Sequence, residues 1–171
     1  MILLSPRLEL RPSRPEDLGD LVSIYLQQEL LARWLPPPKR DPDLAASRVS
    51  GFLIPSDSSN QQIWTVCDAS DGAILGLIDI SLEPDQVDEA FIGFMLGNGV
   101  GSDGRDIEAL AAIIHHALFS GHKTLWTKLG LGVRRAEALV FGLGFKVEAH
   151  LRGEADRERE RRDFRLYRLD L

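Results

Sequence analysis

Residues Glu89 to Phe119 read EAFIGFMLGNGVGSDGRDIEALAAIIHHALF, and the fold is decided there. An apolar run from Phe91 to Leu96 has strand character and enters a loop holding Gly97, Gly99, Gly101 and Gly104. A helical pattern follows at once, with Ile107, Leu110, Ala111 and Ile114 on one face. Glycines let backbone approach a ligand closely, and the first helical N–H groups lack intrahelical partners, so the segment is a candidate anion site. Taken alone, the loop is equally compatible with a plain β-to-α connection. It is not a Walker phosphate loop, because no Gly-Lys-Ser/Thr follows. A dinucleotide fingerprint also fits poorly, since position 102 is Ser and no clear βαβ unit surrounds it.

Working toward the C-terminus, Gly121 caps the helix Arg105 to Phe119, and Thr124 to Leu129 reads as a strand. A helix from Arg134 to Phe141 precedes an antiparallel-looking pair, Phe145 to Leu151 and Phe164 to Leu169. The charged stretch Arg152 to Arg162 between them reads as a solvated loop or strand ends. Toward the N-terminus, Asp71-Gly72 supplies a tight turn between strands Ile63 to Cys67 and Ala73 to Ser81. Ser56 to Gln62 is a polar turn region, and Asp43 to Phe52 an amphipathic helix. An earlier helix carries Leu18, Leu21, Ile24 and Tyr25 to about Leu31, and Pro36 to Pro38 stop it. Its start has Ser13 as N-cap, Pro15 just inside, and Glu16 completing a capping box. Leu8 and Leu10 alternate as a first strand ended by Pro12. The order β-α-α-β-β-β-α-β-α-β-β describes an α/β (α+β) fold with one central sheet. No repeat or long linker divides it, so residues 1–171 are expected to form a single domain.

The 171 residues are 44% hydrophobic and 27% charged, enough for one well-formed core. A net charge of −6 and a pI near 5.2 disfavour nucleic acid as a partner. The one cysteine, Cys67, cannot form an internal disulfide, and in IWTVC it reads as a buried, inert thiol. No group of His, Asp or Glu has metal-ligand spacing. The opening MILLSPRLEL is no secretory leader, and no run of about 18 apolar residues occurs. A soluble cytoplasmic protein without membrane contact is therefore expected.

Five segments together resemble one family. They are SPRLELRPSRPEDL, FIGFMLG, IEALAAIIHHALF, LGFKVEAHLR and RDFRLYRL, running from about Ser5 to Leu169. The chain resembles the GNAT acyltransferases, in particular the RimJ/RimL-like branch acting on protein N-termini. The resemblance implies a mixed, mostly antiparallel central sheet flanked by helices, with two splayed central strands. It implies transfer of an acetyl group from acetyl-CoA to a primary amine, either a protein N-terminus or a small molecule, by direct attack. Backbone groups of Phe94, Met95 and Leu96 would pair with the pantetheine arm. Gly99, Gly101, Ser102, Gly104 and Arg105 would hold the pyrophosphate, with Arg134, or Arg135, reaching a CoA phosphate. Solvated helix-start arginines are the alternative for that last pair. Glu89 would be the general base, or else a strand-end surface residue; His150 is the next candidate. Trp34 would line the acceptor pocket or fill the core edge. A homodimer is a common assembly of this fold.

The chain departs from the family pattern at the site itself. Where the loop usually reads Arg/Gln-x-x-Gly-x-Gly, the matching positions are Gly99, Ser102 and Gly104. Asp103 and Asp106 add carboxylates that would each repel a pyrophosphate by about 1 kcal/mol. Asp103 has an alternative use, capping the helix itself. Val133 and Ala136 replace an Asn and a Ser that contact the cofactor, and Val140 stands near the place of a family tyrosine acid. These departures motivate a second reading: a GNAT-fold protein that has lost CoA chemistry and binds a ligand or partner, or runs another reaction. His116 is expected to pack in the core and Tyr167 to be structural, while His115 and His122 carry no signal.

Overall fold

The computed structural model describes residues 1–27, 31–32, 41–53, 60–82, 87–155 and 161–171. Nine strands, β1 (Leu3–Leu4), β2 (Leu8–Pro12), β3 (Leu31–Ala32), β4 (Gln61–Asp68), β5 (Ile74–Leu82), β6 (Glu89–Leu96), β7 (Thr124–Gly130), β8 (Lys146–Ala155) and β9 (Arg161–Asp170), make one sheet. The order is β1-β2-β4-β5-β6-β7-β9-β8, with β3 added against β6. Every pairing is antiparallel except β6 with β7. Among the described residues four α-helices complete it: α1 (Leu18–Tyr25), α2 (Pro42–Leu53), α3 (Arg105–Phe119) and α4 (Arg134–Gly142). The expected α/β architecture, with its antiparallel-dominated sheet, is the one observed.

Strand alternation sends successive side chains to opposite faces, and each face finds its own helices. Ala90, Ile92, Phe94 and Leu96 join Leu110, Ile113, Ala117 and Val140 beneath α3 and α4. Leu77 and Met95 face the other way and meet Leu21, Ile24, Tyr25, Ala45 and Val49 of α1 and α2. Burying each such side chain contributes about 1.5–3 kcal/mol. The smaller second layer leaves the β7–β9 half of its face to Trp126, Lys128 and Arg168.

Several boundaries differ from expectation for tertiary reasons. The first helix ends at Tyr25 instead of near Leu31, and Leu31–Ala32 pair with β6. The hairpin at Asp71-Gly72 is wider than a two-residue turn, closing through the Asp68 amide to Ala73 O. The charged region after Leu151 is largely strand end: β8 runs to Ala155 and β9 starts at Arg161. The prolines 36–38 and the polar turn over 56–59 lie outside the described residues.

The start of α1 is also built differently. Arg14, not Ser13, takes the N-cap position of the 3-10 turn Pro15–Asp17, and Asp17, not the exposed Glu16, returns to cap it. Asp17 is 3% exposed and accepts from Arg11 Nη1 (2.8 Å) and Nη2 (2.6 Å), the Arg14 amide (2.9 Å) and the Thr65 hydroxyl (2.7 Å). Ser13 instead stands 2.9 Å from the Thr65 hydroxyl. Burial alone would push the Asp17 carboxyl up, but the hydrogen bonds from Arg11, Thr65 and Arg14 together hold it below the usual range. Arg11 is correspondingly raised by the Asp17 bond, against burial.

Replacing Asp17 with Asn should cost about 3 kcal/mol, because it leaves the Arg11 charge largely uncompensated against the sheet. A group whose folded pKa is depressed contributes stability above its unfolded pKa of about 3.9 and loses it as pH falls through the folded value. Urea melts should therefore show the full difference between wild type and D17N at pH 7. The gap should shrink below about pH 4.

Candidate functional site

The site is created by a parting of strands. β6 and β7 are in register only at Glu89 with Thr124, Ala90 with Leu125 and Phe91 with Trp126. Beyond that, β7 continues only against β9. The buried Thr127 hydroxyl donates to Ile92 O (2.9 Å) where the strands diverge. On the other edge the Gly97 amide donates to Leu75 O (2.8 Å). Backbone groups alternate between edges, so Met95 addresses β5, while Phe94 and Leu96 address the opening. The expectation of three free residues is corrected accordingly. Met95 turns away, Leu96 lies opposite Leu31 of β3, and Phe94 retains a backbone edge that β7 has left. Close approach of β5 is possible because residue 76 is Gly: a Cβ there would stand 2.1 Å from Met95 O.

The glycine loop leads from β6 into α3. Gly99 (φ 87°) and Gly104 (φ 82°) take the left-handed conformation that bends the chain around one 3-10 turn, Val100–Ser102. The Ser102 amide and hydroxyl both return to Gly99 O, at 3.1 and 2.6 Å. The Asn98 amide donates to the Gln27 side chain at the end of α1. Among the described residues, the amides of Gly99, Gly101, Asp103, Gly104 and Asp106 have no hydrogen-bond acceptor. They supply what an anion needs at a helix N-terminus.

The two carboxylates behave differently from each other. Gly104 takes the N-cap position of α3, and Asp103 just before it accepts from the Arg105 amide (3.2 Å) and pairs with the Arg105 guanidinium (2.9 Å) and Arg7 (3.8 Å). Desolvation raises its carboxyl, but Arg105 and Arg7 outweigh this and hold it low. Its charge is therefore spent on two arginines. Asp106 makes no ion pair within 4 Å among the described residues: Oδ1 takes the Ile107 amide (2.8 Å), and Oδ2 hangs over Gly101, 2.6 Å from where a Cβ would be. The Arg135 guanidinium approaches the same point, at 2.7 Å. The basic group at the loop is thus Arg135; Arg134 is exposed, and no contact places it on the loop. Arg105 does not reach outward either, being held by Asp68 (2.7 Å) as well as Asp103. Ala136 is buried and Val133 packs against the core, so neither contributes a polar atom.

Glu89 lies at the closed end of the β6–β7 pair, where its Oε2 accepts from Trp126 Nε1 (2.7 Å). Phe91 stacks on that indole at 6.3 Å, and Arg168 lies 5.6 Å from it on the other strand. His150 is exposed on the edge strand β8, in register with Arg165, whose side chain pairs with Glu137 of α4. It therefore faces the helical layer and does not meet Glu89. Trp34 lies outside the described residues. His116 is half-buried at the rim of the core, edge-on to Trp64 (5.2 Å), and burial lowers its pKa. Tyr167 is wholly buried and donates to Glu137 (3.0 Å), a structural role. Cys67 is buried with its thiol pushed up by desolvation, hence unreactive. Among the described residues no group of His, Cys, Asp or Glu could hold a metal ion, and no helix is long and apolar enough to cross a membrane.

Asp79 lies in none of the sequence motifs. This acid interrupts the apolar strand ILGLIDISL, on the face of Leu77, and is only 4% exposed. It stands between Ile63 and Gly93, two residues past the last β6–β7 register pair. Among the described residues its carboxylate takes one hydrogen bond, from Gln61 Nε2 (3.3 Å). An acid at a position whose strand neighbours are buried was the available signal.

Comparison with known proteins agrees with this architecture. A ribosomal-protein-serine acetyltransferase structure from Vibrio cholerae superposes with a TM-score of 0.81 at 15% identity, covering 100% of this chain and 98% of its own. The Salmonella typhimurium enzyme that modifies the N-terminal serine of ribosomal protein L7/L12 gives 0.78 at 17%, covering 100% and 99%. The microcin C7 self-immunity acetyltransferase MccE, solved with acetyl-CoA and AMP, gives 0.75 at 16%, covering 98% and 94%. At these identities the likeness is one of fold. No curated protein matches the chain in sequence. The family model described as "Acetyltransferase (GNAT) domain" matches residues 7–141, and the chain belongs to that family.

Proposed function

We propose that the protein transfers an acetyl group from acetyl-CoA to a primary amine, a protein N-terminus or a small-molecule amine, by direct attack. The observation that carries this reading is the conjunction of a parted β6–β7 pair with a loop of unpaired amides at its end. Two structures of the same fold contain the ligand in question: RimL with coenzyme A, and MccE with acetyl-CoA. Their relatives' acceptors span ribosomal protein N-termini and spermidine. The residues present suit the donor. Amides of Gly99, Gly101 and Gly104, with the guanidinium of Arg135, would hold the phosphates, and Phe94 would pair with the pantetheine arm. Acetyl-CoA supplies the activated thioester; the chain positions it and keeps the amine close. Val133 and Ala136 offer no hydroxyl or amide to the leaving sulfur, so any proton it takes must come from elsewhere.

One observation favours the second reading, a GNAT fold without CoA: β3 lies against Leu96, on the edge a pantetheine arm would use. The two readings separate in one titration. Ligand that binds only the native state raises its melting temperature with concentration. At about 100-fold over Kd, acetyl-CoA should raise the Tm by roughly 5–10 °C in a chain of this size. A flat melt up to millimolar acetyl-CoA rejects the acetyltransferase reading.

The loop geometry makes a finer prediction. Asp103 is paired with two arginines, whereas Asp106 has near it only Arg135, the group the phosphates would also use, so the second should oppose the phosphates more. Asp106→Asn should tighten acetyl-CoA about fivefold, near 1 kcal/mol, by calorimetric titration. Asp103→Asn should give no gain, because it breaks the ion pair with Arg105 and loosens the loop.

A further inference from the structure

Among the described residues the fold contains one buried acid, Asp79, that meets no cation. Asp17 has Arg11, Glu108 has Arg7, Asp68 has Arg105, and Glu137 has Arg165. Asp79 is 4% exposed and has one amide hydrogen bond, from Gln61 at 3.3 Å, with no cation within ion-pair distance among the described residues. A carboxylate held out of water without a counter-charge is costly, and the cost is met when a cation arrives. Position says which cation. Asp79 lies in register with Gly93, which contributes no side chain, beside the point where β6 and β7 part. Its neighbour two residues away, Leu77, packs with α1 and α2, so Asp79 belongs to that face of the sheet. The opposite face is filled by α3 and α4, and on the Asp79 face the α1–α2 layer stops short of the β7–β9 half, so an acceptor would come in from the side of Trp126 and Lys128.

We propose that Asp79 receives the acceptor amine, pairing with its ammonium form and taking one of its protons. This rests on the acetyl-transfer reading above. The carboxylate accepts a proton from R–NH3+, freeing the nitrogen lone pair, which forms the C–N bond to the thioester carbon. The C–S bond then breaks with its electron pair on sulfur, and the second amine proton passes to that thiolate. Asp79 returns its proton to solvent. The net change is R–NH3+ and acetyl-CoA to the N-acetyl amine, CoA–SH and H+. Glu89, bound to Trp126 at the closed end of the strand pair, then belongs to the wall of the acceptor face and takes no proton.

The full chain is melted with n-butylamine at neutral pH and, as a neutral isostere, with 1-butanol, both without acetyl-CoA. Wild type should be stabilised by the amine and not by the alcohol, and Asp79→Asn should lose the amine response. With acetyl-CoA and n-butylamine, thiol release by D79N should fall roughly 100-fold or more. Its acetyl-CoA Tm shift should stay within twofold of wild type, which also shows that the variant folds. Asp79→Glu, keeping the charge, should recover at least a tenth of the rate. Equal responses of wild type to amine and alcohol, D79N behaving as wild type, or the loss appearing in Glu89→Gln instead would each overturn the assignment. Absence of any acetyl-CoA shift would reject the acetyl-transfer reading separately, since the amine melts are read without it.

Discussion

Three residue pairs hold β6 and β7 together, and what lies beyond them depends on their stopping there. With Glu89, Ala90 and Phe91 matched to Thr124, Leu125 and Trp126, the strands begin as neighbours in a parallel ladder. A continuing ladder would use the β6 backbone edge and close the sheet. Instead β7 turns its remaining length toward β9, and a single buried hydroxyl, Thr127 on Ile92 O, marks the parting. Thr suits that place because its hydroxyl substitutes for the missing backbone donor within the pleat. The parting sets Asp79 and Gly93 beside the gap on one face and the glycine loop at its end.

Legibility in the sequence followed how local the cause of each element was. The boundaries of β6 and α3 could be read directly because alternation, glycine conformations and a 3.6-residue stripe all lie within one continuous stretch. The short end of α1 could not. Its apolar periodicity continues past Tyr25, but pairing of Leu31 with Leu96 decides where the chain is extended, and that partner is 65 positions away. The cap of α1 failed for a related reason. Ser13 and Glu16 fit a capping box by spacing, but Arg11 and Thr65 converge on Asp17 from neighbouring strands and select it. Of the site, the loop was legible, while the reach of Arg135 over Gly101 depends on α4 docking beside α3. Asp79 was legible only as an oddity, since what sets it apart is the lack of a counter-cation among the described residues, which sequence does not record.

An acidic chain with net charge −6 might be thought unsuited to hold a polyphosphate. The structure distributes that charge so that the loop meets little of it. Arg7 binds Glu108 at 2.7 Å and leans on Asp103, joining β2 to α3. Desolvation raises the Glu108 carboxyl, yet Ser5 and Arg7 together hold it low. Arg7 is half exposed, so screening keeps the contribution of these pairs to stability small. Their larger effect is on the local potential, because Asp103 is answered by two guanidinium groups.

The bond from Arg105 to Asp68 has a mechanical side. Asp68 ends β4 at the turn into β5, and its carboxylate also gathers the Ser70 amide and hydroxyl. One guanidinium therefore bolts the first turn of α3 to a hairpin that belongs to the rigid sheet. The glycine loop, whose residues 99 and 104 would otherwise be free to wander, is spanned between two fixed ends: β6 on one side and this anchor on the other. A loop so tethered has surrendered its conformational entropy during folding. A ligand that meets it does not have to order it again, and its affinity then reflects contacts rather than the freezing of backbone.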